Sequence, residues 1–132
     1  MTQVASQPRM ASGKIVTAWI IQGVLAVAFL AAAAAKLAGM PMMVALFDTI
    51  GLGQWFRIAT ALVEILGAVA LLTPNYAAFG AAWLGATMFF ASLTHLFILH
   101  SNPAAAILLL ALNAVVLWLR RDQLAELRAR LA

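Results

Sequence analysis

From Ile65 to Leu119 the chain carries no Asp, Glu, Lys or Arg, and the run is broken only at Thr73-Pro74-Asn75 and Ser101-Asn102-Pro103. An α-helix rises about 1.5 Å per residue and a bilayer core is roughly 30 Å thick, so one crossing takes about 20 apolar residues. The run predicts two whole spans and the far end of a third. Ile15 to Ala35, uncharged between Lys14 and Lys36, predicts another. Span two runs from Trp55 or Phe56 to Leu72 and stops before Pro74, which suits a turn better than a helix interior. Span three runs from Tyr76 to Leu99 or His100. Span four starts at Pro103, behind the capping candidates Ser101 and Asn102, and ends at Leu119. Such short turns place successive helices antiparallel.

Two shorter segments complete the pattern. Between Gly39 and Gln54, Pro41-Met42-Met43-Val44-Ala45-Leu46-Phe47 is too short to span and too apolar to float in water, which predicts an interfacial or re-entrant cap. After Arg120, Leu124, Leu127 and Leu131 recur at helical spacing among arginines, which predicts an amphipathic helix on the cytoplasmic leaflet. The expected fold is all-α: a four-transmembrane-helix antiparallel bundle (15–119) between a cytoplasmic N-terminal tail (1–14) and an amphipathic cytoplasmic tail (120–132). A secretory signal competes for the first segment, with Arg9 and Lys14 as its basic region and Ala31 to Ala35 as a cleavage site. The length of that apolar stretch and the three spans behind it favour a retained helix.

Composition supports a membrane class. Of 132 residues, 66% are hydrophobic and 9% charged, against about 25% charged in globular domains. This leaves no room for a separate soluble catalytic domain. The net charge of +4 points to nucleic acid or to anionic membrane until the basic positions are considered. Arg9 and Lys14 precede the first span and Arg120, Arg121, Arg128 and Arg130 follow the last, so the expectation is membrane lipid and no nucleic acid. By the positive-inside rule both termini are cytoplasmic, which requires an even number of spans. There are no cysteines, which excludes disulfides, thiolate metal sites, iron–sulfur clusters and a dithiol relay.

The few ionisable groups in or beside spans mark the expected site, because such groups are expensive in hydrocarbon and usually functional. With cytoplasmic ends, Lys36, Arg57 and His95 lie toward the outer ends of spans one, two and three. Glu64 is deeper on the Arg57 face, near the middle of the membrane, with Thr87 and Asn113 at similar depth. The expected arrangement is a narrow polar cavity with a carboxylate at its floor. Glu64 has two readings. It is a packing anchor paired with Lys36 or Arg57, or it is unpaired and protonated, which suits proton exchange or hydrogen bonding to a quinone-like carbonyl. His95 is read as an interhelical hydrogen-bonding group. Because His95 and His100 are five residues apart on one helix, they cannot share a metal or clasp a haem, and neither cofactor is expected. Gln22 and Asn113 are read as interhelical hydrogen-bonding groups, and the tryptophans as an interfacial belt.

Lys36-Leu37-Ala38-Gly39-Met40-Pro41, Leu46-Phe47, Gly51-Leu52, Trp55-Phe56-Arg57, Glu64-Ile65-Leu66-Gly67 with Leu71-Leu72 and Pro74, and finally His95 together resemble the DoxX-like family of four-span bacterial membrane proteins. The resemblance covers residues 15 to 121. It implies a bacterial cytoplasmic (inner) membrane location and association with a membrane redox system through a membrane or soluble redox partner. It also implies a polar site lined by Lys36, Arg57, Glu64 and His95, with quinone the ligand class in view. The chain departs from a self-sufficient redox enzyme in having no cysteine and no evident cofactor motif. A small proton-coupled transporter and a structural or assembly subunit remain as alternatives, and homo-oligomerisation is compatible with each.

Overall fold

The computed structural model describes residues 12–131. Within them the chain forms six helices and no strand: α1 (Ser12–Leu37), α2 (Pro41–Ile50), α3 (Gln54–Leu72), α4 (Ala77–Phe97), α5 (Ala104–Leu119) and α6 (Arg121–Leu131). The expected N-terminal tail lies almost wholly outside the described residues.

The breaks between helices follow local chemistry. Pro41 occupies the first turn of α2, where its missing N–H is no loss, and Gly51 closes that helix in the left-handed conformation at φ 85°. Thr73 leaves α3 extended, as a residue before proline must, and Asn75 takes up the turn at φ 71°. At the start of α5 the Ala104 N–H donates to Asn102 Oδ1 at 2.9 Å, so Asn102 supplies the cap with Pro103 just outside the helix.

Helices α1, α3 and α4 are long and apolar enough to cross a membrane, and there is a fourth crossing if α5 and α6, bent 62° apart, make one span. The bend falls at Arg120, where apolar sequence gives way to Arg121, Asp122, Glu126, Arg128 and Arg130. Helix α3 packs between α1 and α4, while α5 packs on α4 and also touches α1, so the four long helices form a closed ring of contacts. Inside it lie Leu25, Phe29, Leu71, Leu84 and Val116, each essentially buried, whereas Val27, Phe90, Phe97 and Leu108 stand out from the surface. Apolar side chains on both faces are the mark of helices that meet lipid on one side and each other on the other.

Helix α6 is tied to the ring rather than free of it. The Ala78 N–H at the start of α4 donates to Gln123 Oε1 at 3.0 Å. A first-turn amide that has no partner within its own helix is thereby satisfied from the tail.

Candidate functional site

The last turn of α1 and the middle of α3 bring opposite charges together. Lys36 Nζ lies 2.9 Å from Glu64 Oε1, with the two side chains 13% and 3% exposed. Glu64 belongs to a face of small residues, Ala61, Gly67 and Ala68, all buried, so α1 and α4 come close on either side and exclude solvent from the carboxylate. Its second oxygen, Oε2, is buried and finds no hydrogen-bond partner among the described residues. The pairing with Lys36 was one of the two readings open from sequence.

Arg57 is used differently. Its Nη1 donates to the Lys36 carbonyl, and its Nε donates to Gln54 Oε1 at 2.8 Å. Gln54 Nε2 in turn donates to Asp48 Oδ1 at 2.7 Å and to the Val44 carbonyl at 3.0 Å. A guanidinium is thus set against the carbonyl end of α1, where the helix dipole favours positive charge, and it links α1 to α2 through the start of α3. Gly39, at φ 67°, turns the chain beside this guanidinium.

The Lys36–Glu64 pair borders a cleft of about 720 Å³, within the roughly 300–1,000 Å³ range of small-molecule sites. The C-terminal half of α1, the N-terminal half of α3, the C-terminal half of α4 and the first turns of α5 converge on it, and Met42, Met43, Leu46, Phe47 and Ile50 of α2 cover it. The segment expected as an interfacial cap is therefore a helix that walls a cavity. Phe47 is held there edge-on to Phe56, with ring centroids 5.7 Å apart.

Of the residues singled out from sequence, Lys36, Glu64, His95 and Thr87 line the cleft, while Arg57 and Asn113 do not. Asn113 is fully buried on α5, where its Nδ2 donates to the Leu109 carbonyl of the same helix at 2.8 Å rather than to another helix, and its Oδ1 has no partner among the described residues. His95 makes a local bond where an interhelical one was expected. Its Nδ1 lies 2.7 Å from Ser101 Oγ, and its carbonyl accepts from the Ser101 N–H at 2.8 Å. The α4–α5 turn is pinned to the ring, with His100 in the left-handed region at φ 48°. Among the described residues Nε2 of His95 makes no hydrogen bond.

Sequence reasoning did not single out the walls contributed by Met43 and Phe47; Gln22 is the interhelical hydrogen-bonding group expected from sequence, but sequence alone does not name its partners at the opposite end of the bundle. There Gln22 Nε2 donates to the Leu71 carbonyl at 2.7 Å and Arg120 Nε donates to Gln22 Oε1 at 2.9 Å, so one buried amide joins α1, α3 and the end of α5. Arg120 also lies 5.4 Å over the Trp19 ring. The shared end of the bundle was a usable signal for this pair. From sequence alone Arg120 reads only as part of the basic flank.

The pattern of this chain matches the model of the DoxX-like family over residues 20–124. The chain belongs to the DoxX-like family. Its long apolar helices make this DoxX-like chain a multi-pass membrane protein. Comparisons with curated proteins and with solved structures give no match.

Proposed function

We propose that this DoxX-like protein is a four-span subunit of the bacterial inner membrane that binds a small, quinone-like amphiphile in its cleft and serves a membrane redox system. The observation that carries the reading is the Lys36–Glu64 pair at the wall of a largely apolar cleft. A charged pair taken out of water is expensive, and an apolar isostere often stabilises as well, so its presence beside a cavity favours a binding role.

Support for four alternating spans comes from the cleft itself, where the ends of α1 and α4 meet the beginnings of α3 and α5. With Arg120, Arg121, Arg128 and Arg130 at the opposite end, that end is cytoplasmic and the cleft belongs to the outer half of the membrane. Any redox chemistry is then completed by a partner, the role of this chain being to hold and orient the ligand.

The test is purification in mild detergent from native membranes, with extraction and identification of bound quinone or quinol and of co-purifying proteins. Bound quinone or quinol in the wild type, absent from Glu64→Gln, supports the reading. A folded, fully pure protein that carries neither and takes up neither when they are added would overturn it.

A further inference from the structure

The hydrogen-bonding groups around the cleft are unevenly used, and the imbalance specifies the head group that fits. Thr60, Thr87 and Thr94 all line the cleft, yet each donates its hydroxyl proton backwards, to the carbonyls of Phe56, Trp83 and Phe90 at 2.7, 2.9 and 2.9 Å. Their oxygens face new partners only as acceptors. The Nδ1 of His95 is engaged by Ser101. Glu64 is 2% exposed, with Oε1 on Lys36 and Oε2 buried and unpartnered among the described residues. A buried carboxylate oxygen without a donor carries a desolvation cost that a ligand donor relieves. Lys36, with three N–H groups and one directed at Glu64, still has donors to give.

We infer that the cleft selects an amphiphile with a hydroxyl head, of the phenol or alcohol class, whose O–H donates to Glu64 Oε2 while its oxygen accepts from Lys36. The inference rests on the ligand-binding reading above and deepens it. A hydroxyl oxygen both donates and accepts, so it satisfies both members of the ion pair at once. A carbonyl or an ether only accepts; it suits Lys36 but leaves Glu64 Oε2 unpaired. Within a quinone couple, the hydroxyl-bearing reduced form is therefore the one retained. The apolar body of the ligand lies against Met43, Leu46, Phe47 and Phe90.

The experiment compares para-octylphenol with para-octylanisole, which differ only in the hydroxyl hydrogen replaced by methyl, for binding to the full chain in lipid nanodiscs, after subtraction of partition into empty nanodiscs. Wild-type protein is expected to bind the phenol at least about tenfold more tightly, as one hydrogen bond to a charged acceptor allows. In Glu64→Gln the difference is expected to fall to within about twofold, while Ala91→Trp, which fills the cleft, is expected to lose both probes. Equal binding of phenol and anisole by the wild type, with both lost in Ala91→Trp, would overturn the hydroxyl selectivity and leave the binding reading standing. If neither probe binds the wild type, both fall. The wild-type comparison decides the matter even where Glu64→Gln does not fold.

Discussion

Gly80 of α4 lies so close to Gly67 of α3 that a β-carbon built on Gly80 would come within 2.9 Å of the Gly67 carbonyl oxygen. The same β-carbon would meet the Leu71 backbone nitrogen at 2.7 Å. One built on Gly67 would meet Leu84 Cγ and Cδ2 at 2.4 Å. The two glycines set the approach of α3 and α4, and so the position of Glu64 relative to the cleft.

The two glycines should respond differently to substitution. Gly80→Ala collides with backbone, which cannot rotate away, and is expected to cost at least about 1–3 kcal/mol, the range for overpacking. Gly67→Ala collides with a side chain, so Leu84→Ala should restore part of the loss from Gly67→Ala and none of the loss from Gly80→Ala. Thermal unfolding in detergent of the single and double variants measures both.

Breaking the Lys36–Glu64 pair from either side strands a buried charge. Lys36→Met and Glu64→Gln are each expected to destabilise the bundle by about 3–5 kcal/mol, and the double variant should recover a substantial part of that. A full double-mutant cycle on unfolding free energies provides the measurement. Additive losses would mean that the two groups do not share their stabilisation.

Gln22 and Arg120 should behave as one unit at the other end. Gln22→Leu fills the same buried position but leaves the Arg120 Nε and the Leu71 carbonyl without their partner, at an expected cost of about 1–3 kcal/mol. Arg120→Lys should not substitute for arginine, because an ammonium lacks the planar guanidinium that reaches Gln22 while lying over Trp19. Lower melting temperatures for both variants are the expected readout, and a Lys variant as stable as wild type would count against the geometry.

The contact between Gln123 and Ala78 makes a similar statement about the tail. Truncation after Asp122 removes the acceptor that caps α4, and the expected loss is about 1 kcal/mol with the bundle still folded. Gln123→Ala in the full chain should reproduce most of it. A larger effect of truncation than of Gln123→Ala would assign the difference to the half-buried Leu127.

Topology is open to direct labelling, since the absence of cysteine makes any single introduced thiol unique. Cysteines at Asn75 and Arg130 are expected to react from the cytoplasmic side, and those at Gly51 and Asn102 from the opposite side. Reaction of Asn75 and Asn102 from the same side would contradict four alternating spans.

How far the chain could be read from its residues follows from which interactions are local. The uncharged run from Ile65 to Leu119, Pro41, Pro74 and the Ser101-Asn102-Pro103 turn predict long apolar helices and their breaks, because a helix in lipid satisfies its backbone internally and needs no distant partner to form. Helical phase is likewise a property of spacing alone, and residues seven apart share a buried face: Gln22 and Phe29 on α1, and Ala61 and Ala68, with Glu64 between them, on α3. Which polar groups meet was a different matter. Lys36, Arg57, Glu64 and His95 share an end of the bundle, yet Lys36 alone pairs with Glu64; Arg57 instead turns to the Lys36 carbonyl and His95 to Ser101. The rotation of each helix, and the distance of closest approach at Gly67 and Gly80, decide whether a side chain reaches a neighbour or returns to nearby backbone. Those quantities come from contacts between residues far apart in the chain, and tertiary packing sets them.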